Sequence, residues 1–125
     1  MLKEGMTFTL EKTVGPNETA RVLCSGAAEV FSTPMLLAFM ENTAFTLAEN
    51  NLAEGESTVG LSANLKHLKA NAVGDKITCT ARLDKIEGKK LTFYETVEYE
   101  GDIVGEAVHE RYIINMEKFM AKMKR

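Results

Sequence analysis

At 125 residues and a net charge of -3, the chain reads as one domain, residues 1–125, able to bury roughly two thirds of its unfolded surface. That charge balance leaves no basic footprint for nucleic acid. The start, Met1 to Phe8, carries Lys3 and Glu4 and no apolar leader segment, so Cys24 and Cys79, which have no metal-ligand spacing, are expected to be reduced cytoplasmic thiols.

In chain order, Met6–Thr13 and Glu18–Cys24 read as short strands joined by a turn at Gly15-Pro16-Asn17. Residues Ser25 to Phe31 form a connection. Thr33-Pro34 is a helix start signal, with Thr33 as N-cap and Pro34 at the first helical position, and the helix runs to about Asn50. From Val30 to Ala48 the only ionisable residue is Glu41. Pro34, Glu41 and Asn42 would all be costly inside a bilayer, so this is not a membrane span. On a helical wheel Glu41 shares an arc with Leu37, Ala38, Ala44, Phe45 and Ala48, which predicts a core-facing carboxylate. Such a group must be paired, protonated or put to use.

Beyond Glu54-Gly55-Glu56 the hydrophobic period becomes two. Val59, Leu61, Ala63, Leu65 and His67 fall on one strand face. A turn over Asn71–Asp75 leads to a strand with Ile77, Cys79, Ala81 and Leu83 inward. Hairpins at Glu87-Gly88-Lys89 and Gly101-Asp102 then give strands Leu91–Tyr99 and Ile103–Met116, with a lysine-rich amphipathic tail over Glu117–Arg125. One long apolar helix followed by a four-stranded antiparallel meander predicts an α+β class. A helix apolar around most of its circumference calls for enclosure, and a curved sheet wrapped around it is the hotdog architecture.

His67 extends an apolar row, so it is expected to point at the covering helix and to face Glu41; a Glu–His pair is a general acid–base unit. A histidine satisfied at a strand end is the plainer alternative. Thr33 serves as a cap or as a reacting hydroxyl, but eight residues of helix set it about 12 Å from Glu41. Gly60 marks a bulge or a close backbone approach, and its amide is a candidate oxyanion donor. His109 and Arg111 project from one face of the last strand, either as exposed charge or as an anchor for phosphate or carboxylate. No nucleotide loop, metal cluster or Ser-His-Asp series is present, and no cofactor is expected.

Taken together, Val30-Phe31-Ser32-Thr33 leading to Met40-Glu41, Gly60 followed by His67, the Ile86–Leu91 hairpin, His109-Glu110-Arg111 and Glu117-Lys118-Phe119 resemble the hotdog-fold acyl-CoA thioesterases, within them the fluoroacetyl-CoA thioesterase-like family. The resemblance implies a catalytic set of Thr33, Glu41 and His67, substrate contacts from Gly60 and Arg111, an acyl-CoA substrate, and a homodimer with active sites at the subunit interface. A non-catalytic acyl-CoA-binding or sensing module is the alternative, followed by an enoyl-CoA hydratase of the same fold.

Overall fold

The computed structural model describes residues 1–124. Its elements are β1 (Thr7–Thr13), α1 (Thr33–Glu49), β2 (Glu56–His67), β3 (Lys76–Glu87), β4 (Lys90–Tyr99), β5 (Asp102–Asn115) and the short α2 (Met116–Ala121). The five strands form one antiparallel sheet in the order β1-β3-β4-β5-β2, and α1 lies across its inner face. The α+β hotdog expectation holds. No helix among the described residues is long and apolar enough to cross a membrane.

Two expectations about the strands need correction. The first is the four-strand meander: β3, β4 and β5 form one, but β2 pairs with β5 instead of β3. After β2 the chain crosses the end of the sheet, held by Leu68 and Lys69 amides on the Val104 carbonyl and by the Phe31 amide on the Asn71 carbonyl. It then enters β3, whose remaining edge is taken by β1. The second is the strand at Glu18–Cys24. A 3-10 turn covers Pro16–Glu18, and a single bridge joins Thr19 to Phe31. Glu18 accepts from the Gly15 amide and pairs with Lys12, while local turns close from Thr19 to Ser25. The alternating apolar residues form no strand there, because the Glu18 carboxylate and the Thr19 hydroxyl, which accepts from the Val22 amide, commit the start of the segment to turns that backbone hydrogen bonds continue to Ser25.

The helix also starts differently from its sequence signal. Ser32 is the N-cap, its hydroxyl accepting from the Met35 amide at 3.3 Å, and Thr33 is already helical. The helix ends where the Asn50 amide returns to the Ala48 and Thr46 carbonyls and Asn51 Nδ2 caps the Leu47 carbonyl at 2.8 Å. Its buried face is Leu36, Met40, Thr43, Ala44 and Leu47, flanked by Phe39 and Ala48. Those residues pack on Ile77, Cys79, Leu83, Phe93 and Val97 from the inner face of the sheet.

Close approach of α1 to β5 depends on Gly105. A Cβ there would lie 2.8 Å from Leu36 Cδ2 and 3.3 Å from Met40 Cε, and both side chains are fully buried. Neither has free volume to retreat into. Gly105→Ala is therefore expected to cost about 1–3 kcal/mol of stability through overpacking, read as a lower urea midpoint at unchanged slope.

Candidate active site

The row Val59, Leu61, Ala63, Leu65, His67 does not share one face. Register along β2 and β5 shifts between Gly60 and Ser62, and this bulge inserts Leu61 as an extra residue. On the near side Gly60 lies opposite Arg111; beyond it Ala63, Leu65 and His67 lie opposite His109, Ala107 and Gly105. Directly opposed residues point to the same side, so Gly60, Ala63, Leu65 and His67 join the buried His109 and Arg111 on the inner face. Leu61 is left half exposed.

Glu41 is likewise not a core carboxylate. The helix is rotated so that Leu36, Met40, Thr43 and Leu47 meet the sheet, and Glu41 occupies the flank with Leu37, Ala38 and Phe45. Its side chain is 44% exposed.

The named residues assemble into two clusters. At the start of α1, Thr33 Oγ1 lies 2.8 Å from His67 Nδ1. Because Ser32 caps the helix, the Thr33 hydroxyl is free to make this bond. Burial lowers the His67 pKa below its ordinary 6.5, opposed in part by a backbone contact at Lys69. Its Nε2 is buried with no hydrogen-bond partner among the described residues. A cavity of about 310 Å³ opens beside the pair, lined by Phe31, Ser32, Leu68 and Lys69 among others.

The second cluster lies two turns along α1. Glu41 Oε2 stands 3.7 Å from Arg111 Nη1 and 3.9 Å from His109 Nε2. Gly60 makes room for it, since a Cβ there would come within 3.2 Å of Glu41 Oε2 and 3.7 Å of Arg111 Nη1. Arg111 is pinned from behind: its Nε donates to Thr58 Oγ1 at 2.8 Å and its Nη2 to the Thr58 carbonyl at 3.1 Å. His109 Nδ1 meets Glu95 Oε2 at 2.9 Å, and both side chains are almost fully buried. A second cavity, of about 250 Å³, opens over Glu41, Gly60, Ala63 and His109. A carboxylate open to solvent and held by a fixed guanidinium can accept a proton or attack a carbonyl.

Within this chain, therefore, the histidine beside Glu41 is His109, and His67 is the neighbour of Thr33. The expected Glu41–His67 contact is absent because Glu41 lies two turns along α1 from Thr33, the residue that His67 meets, and the two side chains open onto separate cavities. Thr58 and Glu95 were missed in the sequence. Thr58 offers no signal by itself. Glu95 does: it interrupts the apolar row Leu91, Phe93, Val97, the same oddity that singled out Glu41.

Comparison with known proteins is consistent over nearly the whole chain. The family model described as fluoroacetyl-CoA-specific thioesterase matches residues 14–117. The fluoroacetyl-CoA thioesterase of Streptantibioticus cattleyicolor is 30% identical, across 98% of this chain and 93% of that protein. A crystal structure of a point mutant of the fluoroacetyl-CoA-specific thioesterase FlK in complex with fluoroacetate and CoA superposes with a TM-score of 0.88 at 31% identity, covering 94% of this chain and 99% of that one. A thioesterase superfamily member from Thermus thermophilus gives 0.88 at 27% identity, covering 96% and 89%.

The depressed His67 pKa gives a direct check. A histidine-resolved NMR titration should place its midpoint below 6.5. By linkage the unfolded chain binds this proton first as pH falls, so the group's contribution to stability is present above 6.5 and declines as pH drops towards the folded midpoint. A midpoint at or above 6.5 contradicts the buried, uncharged assignment.

Proposed function

The chain belongs to the fluoroacetyl-CoA-specific thioesterase family, and on that premise we propose that it hydrolyses an acyl-CoA thioester to the free acid and CoA, with Glu41 as the reacting carboxylate. The observation that carries this reading is Glu41 itself. It is a half-exposed carboxylate set against a glycine and flanked by Arg111 and His109, at the mouth of a cavity.

In the proposed reaction Glu41 removes a proton from water, hydroxide adds to the thioester carbonyl, and the tetrahedral intermediate expels CoA as thiolate. A thiol of pKa about 8.5 needs little acid assistance to leave, so the larger task is stabilising the oxyanion. Uncharged His67 suits that task. With Thr33 donating to Nδ1, its Nε2 carries the hydrogen; that N–H is buried without a partner among the described residues, and it meets a substrate oxygen once the groups covering it move aside. Gly60 lets the carbonyl approach the strand, and Arg111 steers the CoA or acyl end. Direct attack by Glu41, giving a mixed anhydride, uses the same atoms. In a single turnover in isotope-labelled water, label in the Glu41 carboxylate identifies direct attack followed by hydrolysis at the Glu41 carbonyl.

The two clusters become one site in a homodimer. β2 is an edge strand, and Gly60 to Asn64 are all exposed on it. A long unprotected edge of this kind is a template for pairing. Antiparallel pairing of two β2 strands about a twofold near Ala63–Asn64 sets Gly60 of one protomer opposite His67 of the partner subunit. Glu41 of one chain then works with Thr33 and His67 of the other, which removes the distance of about 12 Å along the helix.

Glu41→Gln and His67→Ala are each expected to lower kcat by at least about 10²–10⁴-fold on a panel of acyl-CoA substrates, with thiol release as the readout and folding checked by circular dichroism. Near-normal turnover in either variant overturns the assignment; ligand-dependent thermal stabilisation with no thiol release by the unmodified protein points instead to a binding module. Co-folding equal amounts of Glu41→Ala and His67→Ala chains should restore about a quarter of full activity, since half the dimers are mixed and each has one intact site. No recovery would place Glu41 and His67 of the same chain in each site.

A further inference from the structure

The hydrogen-bond polarity behind Glu41 is fixed by one residue. An arginine can only donate. Arg111 Nη1 faces His109 Nε2 at 3.4 Å, so Nε2 is the acceptor in that contact. The proton of the neutral ring then sits on Nδ1, which faces Glu95 Oε2 at 2.9 Å. The chain of donation runs one way, from Arg111 through His109 to the Glu95 carboxylate. Arg111 keeps its second Nη1 hydrogen for Glu41, 3.7 Å away.

We propose that Glu95 is a positioning residue for the hydrolysis: by accepting from His109 Nδ1 it sets the tautomer that keeps Arg111 turned towards Glu41. The proposal rests on the reading that Glu41 reacts. The surroundings suit it. On the inner face Glu95 lies between Ala81 of β3 and Ala107 of β5, whose small side chains leave room for a carboxylate. The charged or titratable groups around it are His109 and Arg111 from β5, Glu41 from α1 and Cys79 from β3. Cys79 is pushed up to about 12 by burial and stays a neutral thiol. Glu95 Oε1 has no partner among the described residues, a cost that a purely structural residue at this position would avoid by being apolar.

The same chain makes the arrangement sensitive to acid. Burial raises the Glu95 pKa, and His109 and Arg111 oppose that rise only in part. When Glu95 is protonated, its O–H can donate to Nδ1, which moves the ring hydrogen to Nε2. Nε2–H and Arg111 N–H then meet head to head and the contact is lost. The ordered state is present at neutral pH and fails as pH falls, beginning above the ordinary carboxylate range.

Glu95→Gln keeps the volume and removes both the charge and the titration. With the homodimer and an acyl-CoA substrate, kcat is expected to fall about ten- to a hundredfold, as for other outer partners that orient a reacting group, with KM changed less than about twofold. The acid limb of the kcat profile should move to lower pH. Nitrogen-15 NMR of the unmodified protein, which needs no activity, should show His109 protonated on Nδ1 and bare on Nε2 at pH 7, with this tautomer lost or mixed in Glu95→Gln. A bare Nδ1 in the unmodified protein, or a variant with unchanged kcat and pH profile, overturns the proposal. Glu41→Gln run in parallel keeps the two readings apart. If it remains active the role of Glu41 fails, while the tautomer result still decides whether Glu95 fixes the ring.

Discussion

A single extra residue in β2 decides which of its side chains face the helix. The bulge at Leu61 reverses the facing of the strand halfway along. On one side of it Gly60 gives Glu41 a place to sit; on the other, His67 is turned in to meet Thr33. A regular strand would put either Gly60 or His67 on the inner face, never both, because strand side chains alternate with a period of two. Bulges recur beside active sites for this reason.

The helix supplies the second half of the geometry. Its buried face is held tightly at Gly105, which fixes how far Glu41 stands from the sheet. Glu41 then occupies a flank, where it remains hydrated and reachable. Beneath it Thr58, Glu95, His109 and Arg111 are buried and hydrogen-bonded to one another, with Glu95 Oε1 left without a partner among the described residues. Separating an open carboxylate from a closed polar support limits the desolvation cost, since each buried ionisable side chain beneath it makes at least one hydrogen bond.

Much of this was legible in the sequence. The long helix and the hairpins of β3, β4 and β5 stand out by pattern, and Glu41 and His67 by polar intrusion into apolar rows, while Thr33, Gly60 and Arg111 are singled out by the family resemblance. What failed did so for physical reasons. The Leu61 bulge is invisible to a count of alternation, so the face of half of β2 was misread. A helical wheel gives the relative angle of residues but not which way the helix is turned, so Glu41 was placed in the core. Local side-chain bonds at Glu18 overrode a weak strand pattern. The order of β2 in the sheet depends on a crossover, which strand periodicity does not encode.

Ser32 and Thr33 divide two tasks that either hydroxyl could perform. Successive helical residues are turned by about 100°, so a helix beginning one position later would spend the Thr33 oxygen on a backbone amide and swing it away from His67. The phase of a helix end is thus itself a chemical variable here. Drift at this junction would break the Thr33–His67 bond without altering either residue, and restoring it requires only that the cap move back by one.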